Sequence, residues 1–208
     1  MTQRIKVSGI VLAGGMSRRL GRNKAIEPFK GEPLISRVIR RLSEVTDEIV
    51  VVANNRSRAK ELPVFDPVRV VIDSFAEGGS LGGIYTGLKH SRNDWAAVVA
   101  CDMPFVNVSL FEHMLGMCSS VDVVVPVLKG YPEPTHALYS RTCLSEIEKR
   151  LRIGELKITK FFDEVRVAYI DQNVIQTLDP RLISFINVNT QDDLINALAL
   201  ASEGGEMW

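Results

Sequence analysis

The sequence lacks an excess of charge of either sign. Its 208 residues contain 25 Lys and Arg against 25 Asp and Glu, so the formal net charge is zero at pH 7. Nonspecific binding to nucleic acid or to an anionic membrane surface depends on a broadly basic surface. We therefore expect no nucleic-acid partner and no membrane partner, although the balance is compatible with a local cluster of charge.

Long apolar runs and a cysteine framework are also missing. No apolar segment is long enough to span a bilayer. The apolar run near the N-terminus is too short for a signal peptide, so we expect it to form a first strand. The three cysteines, Cys101, Cys118 and Cys143, are scattered and have no metal-ligand spacing. They predict free thiols in a reducing compartment and hence a cytoplasmic protein.

The first part of the chain alternates between two hydrophobic patterns. Short runs rich in Val and Ile predict strands buried on both faces, and apolar residues at helical spacing predict amphipathic helices. The predicted strands are 5–13, 48–54, 68–73, 95–102 and 121–127, and the predicted helices are 33–45, 84–90 and 110–118. This order is typical of a three-layer α/β fold with a doubly wound, mostly parallel sheet.

The pattern changes after residue 127. Residues 132–140 predict a short antiparallel strand, and 142–151 predict a helix. A short helix, a further strand and the segment "FINVNT" at 185–190, a final strand or turn, precede a last helix that starts near Thr190. No linker or repeat divides the chain, so we predict a single domain over residues 1–208 with a loose tail at 201–208.

Polar residues follow four of the predicted strands. Gly14-Gly15, Asn54-Asn55, Asp73 and Asp102 each stand at a strand end. Open parallel sheets bind ligands outside the carboxyl ends of their strands. We therefore expect these residues to converge on one site.

The stretch "LAGGMSRRLGRNKA" at 12–25 joins a glycine pair to several cations. A glycine pair after a strand lets backbone amides approach an anion, and Arg18, Arg19, Arg22 and Lys24 are within reach of phosphate oxygens. The stretch is neither a P-loop nor a G-x-G-x-x-G motif. The residues alone leave two interpretations open: a triphosphate-binding loop, or a turn followed by a solvated basic segment.

This stretch resembles the signature L-A-G-G-x-S-x-R-M-G-x-D-K of the molybdenum cofactor guanylyltransferase family. Leu20 and Asn23 replace the methionine and the aspartate of that pattern. The resemblance implies that nucleotide is bound by Leu12, Ala13, Gly14 and Gly15. It also implies that Arg19 and Lys24 are catalytic residues that grip the triphosphate.

Two further segments resemble the same family. "CDMP" at 101–104 matches C-D-x-P, which implies that Asp102 is a catalytic and nucleotide-binding residue and the ligand of Mg²⁺; a lone aspartate here otherwise predicts a helix cap. "DSFAEGGSLGGI", from Asp73, matches D-x-x-x-G-x-G-P-L-A-G-I, with Ser80 in place of proline. Asp73 would bind ribose or base, and a glycine loop would approach the base with Leu81 against its face.

The remaining candidates are less specific. Asn54, in a segment like the family's N-A-N-R, would contact the base, or else cap a turn. Asn187 and Asn189 lie in a segment like N-x-N-T-x-x-D-L, and alternation puts them on one strand face. They would bind the acceptor or stand in the outer shell of the metal, or else cap the last helix. The loop 128–134 would bound the acceptor pocket, and His136 is an acid, a base or a structural residue.

The resemblance implies a Rossmann-like nucleotidyltransferase fold with a nucleotide-binding half at 1–127 and an acceptor-binding half at 128–200. It implies transfer of GMP from GTP to molybdenum-bound molybdopterin, with Mg²⁺ as cofactor and pyrophosphate as product. Biosynthetic proteins of this cofactor and recipient molybdoenzymes would be its protein partners. The alternatives are a cytidylyltransferase on the same pterin, a sugar-phosphate nucleotidyltransferase and a non-catalytic nucleotide- or pterin-binding adaptor. A dehydrogenase is disfavoured by the missing G-x-G-x-x-G.

Overall fold

A sheet of eight strands forms the centre of the computed structural model, which describes residues 5–14, 23–63, 66–75 and 77–203. A small antiparallel ribbon of two strands stands apart from it. In chain order the strands are β1 (Val7–Leu12), β2 (Pro28–Phe29), β3 (Glu32–Pro33), β4 (Glu48–Ala53), β5 (Arg69–Ile72), β6 (Trp95–Ala100), β7 (Val123–Leu128), β8 (Tyr131–Pro132), β9 (His136–Ser140) and β10 (Val167–Ile170).

The strand order in the sheet is β5-β4-β1-β6-β9-β7-β10, and β8 pairs with β7. Neighbours are parallel except where β9 or β8 is involved, because β9 runs antiparallel to both β6 and β7. The central strand β1 is buried along its whole length, as expected for a run of apolar residues covered on both faces. The predicted mostly parallel sheet is confirmed.

Helices cover both faces of the sheet. They are α1 (Leu34–Leu42), α2 (Arg56–Glu61), α3 (Gly79–His90), α4 (Val108–Leu115), α5 (Leu144–Arg152), α6 (Gln172–Leu178) and α7 (Gln191–Glu203). On one face, α1, α4 and α6 bury residues such as Val38, Phe111 and Ile175. On the other face, α3 and α5 bury residues such as Leu88 and Ile147. The predicted three-layer α/β architecture is therefore confirmed.

The strand order reverses between β1 and β6. From β1 the chain moves outward through β4 to the edge strand β5, then returns across the sheet to form β6 on the other side of β1. Adjacent crossovers therefore leave the sheet in opposite directions and open a crevice beyond the strand ends. This switch point is where a doubly wound fold binds its ligand.

Several predicted boundaries differ from the structure. Helix α3 begins at Gly79 rather than Ile84, so the expected glycine loop is in part the first turns of a helix. Leu81 is completely buried, and the expectation that it packs on a base is wrong. Of the two alternatives predicted for 185–190, a strand or a turn, the strand is wrong: Phe185 ends a short 3₁₀ turn, Ile183–Phe185, and 186–190 contains no strand. Helices α2 and α6 were not predicted, since both are short.

The last helix is also longer than expected. Helix α7 runs to Glu203 with Ala201 buried, so residues 201–203 are helical rather than part of a loose tail. Its apolar face packs in a small separate cluster that includes Phe29, Phe105 and Val188. This cluster fixes the C-terminal part of the chain beside the end of β6.

Across the described residues, no helix combines the length and the apolar character needed to cross a bilayer.

Candidate functional site

A cavity of about 700 Å³ lies at the switch point, at the carboxyl ends of four parallel strands. The ends of β1, β4, β5 and β6 all contribute to its wall, as does the start of α3. The predicted residues that line it are Leu12, Ala13, Gly14, Lys24, Asn54, Asp73 and Asp102. The expected convergence therefore occurs for Gly14, Asn54, Asp73 and Asp102, whereas Asn55 does not line the cavity. Gly15 and Arg19 lie outside the described residues.

Lys24 and Asp102 meet in this cavity although they are 78 residues apart in the sequence. Lys24 Nζ lies 3.4 Å from Asp102 Oδ2, and the two side chains are only 14% and 17% exposed. Lys24 Nζ also donates a hydrogen bond to Asn189 Oδ1. A cation and a carboxylate thus share one partly desolvated crevice, where both act more strongly than they would in water.

A short 3₁₀ turn, Lys24–Ile26, places the lysine. Asn23 caps this turn, since its Oδ1 accepts a hydrogen bond from Ala25 N at 3.2 Å. The Asn23 amide also donates to Glu61 Oε2 at 2.9 Å, which ties the turn to α2. The asparagine that replaces the family aspartate is therefore a buried structural cap that leaves Lys24 directed to Asp102 and Asn189.

The turn after β6 is held from two sides. Arg37, almost fully buried on α1, donates from Nε to the Pro104 carbonyl at 3.1 Å. On the other side, Val188 N donates to the Asp102 carbonyl at 2.8 Å. Neither bond uses the Asp102 carboxylate, which is left facing the cavity and Lys24.

The electrostatics of Asp102 favour a cationic partner. Burial raises the pKa of this carboxyl group, and the nearby Lys24 ammonium and hydrogen bonds oppose that rise. The charged form of a carboxylate that is partly removed from water is stabilised when a further positive charge approaches. Asp102 is therefore well suited to bind a cation delivered with a negatively charged ligand.

Asp73 lies at the end of β5 and is also buried. Its Oδ1 accepts hydrogen bonds from Phe75 N at 2.9 Å and from Thr86 Oγ1 at 2.8 Å. Burial raises the pKa of Asp73, and these two hydrogen bonds counteract the increase. A Cβ atom at Gly82 would lie 3.2 Å from Asp73 Oδ2 and 2.8 Å from the Phe75 carbonyl, so this helical position requires glycine.

Asn54 holds the glycine end of β1. Its Nδ2 donates to the Gly14 carbonyl, and a side chain at Gly14 would collide with the Asn54 carboxamide. The amide of Asn54 is therefore used, at least in part, to fix the backbone that follows β1. A neighbouring asparagine, Asn55, caps α2 by accepting from Arg58 N at 2.9 Å.

The glycine segment that was predicted to approach a base as a loop reaches the cavity as the start of helix α3. Gly79, Ser80 and Gly83 line the cavity, so the positive end of the helix dipole is close to it. The N-cap residue, Gly78, has no side chain to cap these amides. The glycine cluster indicated a loop, because glycine is a poor helix former.

Asn187 and Asn189 have different surroundings. Asn189 accepts a hydrogen bond from Lys24, whereas Asn187 Nδ2 donates to the nearby Phe185 carbonyl at 3.3 Å. Since 186–190 is not a strand, the alternation that placed both side chains on one face does not apply. The structure brings Asn189, but not Asn187, into contact with the cavity lysine.

A second cavity of about 450 Å³ adjoins the first, and Ser80 lines both. Its walls are mostly apolar and come from the β8 region and from residues 156–159. Tyr131 stands at its wall with 75% of its surface exposed. The predicted boundary loop 128–134 contributes Tyr131, Pro132 and Pro134 to this second cavity.

Cys101 lines the first cavity but is not suited to act as a nucleophile. Burial raises the pKa of its thiol, and the adjacent Asp102 carboxylate raises it further. The thiol therefore stays protonated, and only the thiolate is a strong nucleophile. Cys118 and Cys143 are buried as well, and burial raises the pKa of each to about 12.

His136 is a buried residue of the core. Its ring is stacked on Phe111 with centroids 4.7 Å apart and lies 4.9 Å from the ring of Phe185. Neither ring nitrogen has a hydrogen-bond partner, and burial lowers the pKa of the imidazole to about 3. A structural role fits these surroundings, because an acid or base must reach a substrate.

Replacing His136 with Leu is expected to stabilise the protein. The substitution removes two buried nitrogens that have no hydrogen-bond partner, which should raise the free energy of unfolding by about 1–2 kcal/mol at neutral pH. Burial lowers the pKa of His136 in the folded protein, so between pH 6.5 and about 3 this imidazole binds a proton in the unfolded chain but not in the folded one. The free energy of unfolding of the wild type therefore falls as the pH drops below about 6.5. The advantage of His136→Leu therefore grows by about 2 kcal/mol between pH 7 and pH 5.

Urea unfolding at pH 7 and pH 5 measures both effects. His113→Leu on α4 is the matched control, because solvent surrounds the His113 ring in the folded protein. A stability gap between wild type and His136→Leu that stayed constant with pH would contradict the expectation.

The described residues contain no cluster of three or more His, Cys, Asp and Glu side chains that could hold a metal by themselves. Asp102 offers a hard oxygen ligand at the cavity wall. Mg²⁺ is often held by one or two carboxylates while substrate phosphates and water complete its shell. The residues present therefore fit a metal that arrives with a phosphate ligand.

Comparisons with known proteins agree with this geometry. Residues 9–168 match the family model of the MobA-like NTP transferase domain. A molybdenum cofactor guanylyltransferase of Desulfosudis oleivorans is 38% identical over 200 residues, covering 95% of this chain and 97% of that protein. A probable molybdenum cofactor guanylyltransferase of Pelotomaculum thermopropionicum is 35% identical over 206 residues, covering 98% of each chain.

One solved structure is similar to this chain in both fold and sequence. The crystal structure of molybdopterin-guanine dinucleotide biosynthesis protein A from Archaeoglobus fulgidus superposes with a TM-score of 0.83 at 31% identity. The match covers 94% of this chain and 99% of that one. With a family model that matches residues 9–168 and relatives above 30% identity along nearly its whole length, the chain belongs to the family of MobA-like NTP transferase domains.

Proposed function

We propose that this protein transfers GMP from GTP to molybdenum-bound molybdopterin and releases pyrophosphate. The observation that carries the proposal is the meeting of Lys24 and Asp102 in one cavity at the switch point of the sheet. The relatives described above are named for this activity. The geometry supplies what such a reaction needs: a cation for the phosphates and a carboxylate for a metal.

The chemistry is a displacement at the α-phosphorus of GTP. An oxygen of the acceptor forms a bond to this phosphorus as the bond to the pyrophosphate oxygen breaks. Negative charge on the transferring and leaving phosphates is stabilised by fixed positive groups, which is the main contribution of a protein to phosphoryl transfer. We propose that Lys24, whose ammonium group lies in the cavity, supplies one such positive group, and that Arg19 supplies another.

Asp102 is proposed as the protein ligand of Mg²⁺, with phosphate oxygens of GTP as the other ligands. When bound, the metal neutralises charge on the triphosphate and increases the electrophilicity of phosphorus. The contribution of the chain is the position of the carboxylate: Arg37 and Val188 hold the backbone of this turn, so the side chain faces the cavity.

The rest of the cavity is proposed to hold the nucleoside. Ala13 and Gly14 after β1 and Gly79 at the start of α3 add little side-chain volume to the cavity wall, and Leu12 adds an apolar contact, which together suit a flat base. Asp73 Oδ1 is already engaged by Phe75 and Thr86, and we propose that its other carboxylate oxygen binds the ribose or the base. Asn54 would then act mainly by fixing Gly14.

The second cavity is proposed to hold the pterin acceptor. It joins the first through Ser80, so an acceptor bound there can present an oxygen to the nucleotide. Its apolar wall and the exposed Tyr131 ring suit a flat heterocycle. Of the two residues first predicted for the acceptor, Asn187 lines neither cavity, and Asn189 is proposed to act through Lys24.

We place the reaction in the cytoplasm, because the three cysteines are free thiols. Other proteins of molybdenum cofactor biosynthesis and the recipient molybdoenzymes are its proposed partners. They would supply the acceptor and take up the product.

A competitive panel of GTP, CTP and ATP with molybdenum-loaded pterin tests the proposal. We expect magnesium-dependent pyrophosphate release from GTP at a kcat/KM at least about 100-fold above that for CTP, because the wrong base leaves buried polar groups unpaired. Turnover of CTP alone would support a cytidylyltransferase instead. Binding of GTP without turnover would support an adaptor. Tight NAD binding in a separate fluorescence titration would support a dehydrogenase.

A further inference from the structure

The segment that follows the 3₁₀ turn Ile183–Phe185 lies directly behind the cavity. Val188 is completely buried in the cluster beneath α7, and its backbone N–H donates to the Asp102 carbonyl at 2.8 Å. The next residue, Asn189, accepts a hydrogen bond from Lys24 Nζ. One short segment thus contacts both members of the Lys24–Asp102 pair, Asp102 through the Val188 backbone and Lys24 through the Asn189 side chain.

The position of Asn189 is itself set by one side chain of α7. Asp193 Oδ2 accepts hydrogen bonds from Asn189 N at 2.9 Å and from Thr190 N at 2.8 Å. In return, Thr190 Oγ1 accepts from Asp193 N at 3.1 Å. This reciprocal pairing is a capping box, and here the carboxylate also holds the residue before the cap.

We propose that Asp193 is a positioning residue for the reaction: by holding the backbone of Asn189, it fixes the ammonium group of Lys24 relative to Asp102. The link runs from the Asp193 carboxylate through the Asn189 backbone and amide to Lys24. The role in the reaction rests on the proposed function, because it assumes that Lys24 acts on the triphosphate. The effect of Asp193 on the position of the Lys24 ammonium group does not depend on the proposed function.

The competing explanation is that Asp193 only stabilises the start of α7. An acidic residue in the first turn interacts favourably with the helix dipole wherever it points. Asp192 provides the matched comparison, since it is in the same turn with the same charge, but it is exposed and not part of the capping box. Both aspartates therefore interact with the helix dipole, but only Asp193 holds the backbone of Asn189 and so positions Lys24.

The experiment compares Asp193→Ala, Asp193→Asn and Asp192→Ala in the full chain. The first measurement is the rate at which an amine-acylating reagent labels Lys24, followed by mass spectrometry of the peptide. We expect Asp193→Ala to raise this rate severalfold and Asp192→Ala to leave it unchanged. Asp193→Asn retains an oxygen acceptor and should lie close to wild type.

The second measurement is steady-state pyrophosphate release with GTP and pterin acceptor. A misplaced catalytic group costs on the order of 10- to 100-fold. We expect Asp193→Ala to lose kcat/KM in this range with the loss mainly in kcat, while unfolding curves show the same folded fraction. Asp193→Asn should recover most of the activity.

Three outcomes would overturn the positioning role. Unchanged Lys24 labelling in Asp193→Ala is one, and equal effects of Asp192→Ala and Asp193→Ala are another. The third is increased labelling with unchanged kinetics in an active enzyme. A wild type that turns over no GTP would contradict the proposed function, and the labelling arm would then decide alone whether Asp193 positions Lys24.

Discussion

Substituting Asp102 with Asn is expected to lower turnover by about 10³-fold or more, because a metal ligand that supplies several kcal/mol of transition-state stabilisation is removed. The fold should persist. Asn has the same shape, and the backbone bond from Val188 to the Asp102 carbonyl does not involve the side chain. Pyrophosphate release at saturating GTP and Mg²⁺ measures the loss, and thermal unfolding measures the fold.

A second measurement separates the metal role from general damage to the cavity. Without added Mg²⁺, the Asp102 carboxylate repels the triphosphate, so Asp102→Asn should bind GTP as tightly as wild type or more tightly. The matched control is Asp171→Asn, since Asp171 also follows a parallel strand but caps α6 through a 2.8 Å bond from Asn173 N. Undiminished turnover in Asp102→Asn would leave the adaptor as the better explanation.

The sequence was sufficient to predict the fold because its signals are local. Val- and Ile-rich runs and amphipathic segments alternate, and the polar residues that end the runs, such as Asp73 and Asp102, occupy the predicted edge of the sheet. Parallel strands place their carboxyl ends together, so this part of the site follows from topology alone. The pairing of Lys24 with Asp102 did not follow from the residues alone. The family resemblance implied that Lys24 contacts the triphosphate and that Asp102 binds the metal at the same nucleotide.

The remaining parts of the site depend on contacts between distant segments. Asn189 reaches Lys24 across 165 residues, and no periodic pattern encodes that approach. Alternation suggested a strand at 185–190, yet the capping box of Thr190 and Asp193 and the hydrogen bond to Asp102 determine its actual path. At α3, tertiary packing of Leu81 overrides the low helix propensity of its glycines.

Replacing Lys24 with Met is the second substitution with a large expected effect. Met keeps an apolar stem of similar length and removes the ammonium group with its charge and its hydrogen bonds to Asp102 and Asn189, so the loss reports on what that group stabilises. Removing one fixed donor to a developing negative charge costs about 10²- to 10³-fold in kcat. Lys60→Met on α2 is the control, because it removes the same charge from an exposed helix away from the cavity. Single-turnover pyrophosphate release separates this effect from slow product release.

The double variant Lys24→Met with Asp102→Asn tests whether the two residues act as one unit. They lie 3.4 Å apart and would contact the same triphosphate, one directly and one through the metal. Residues that work on the same reacting group are strongly non-additive, so the double variant should lose little more activity than the more impaired single variant. Losses that multiply fully would mean that Lys24 and Asp102 act independently, and a shared triphosphate site between them would no longer be tenable.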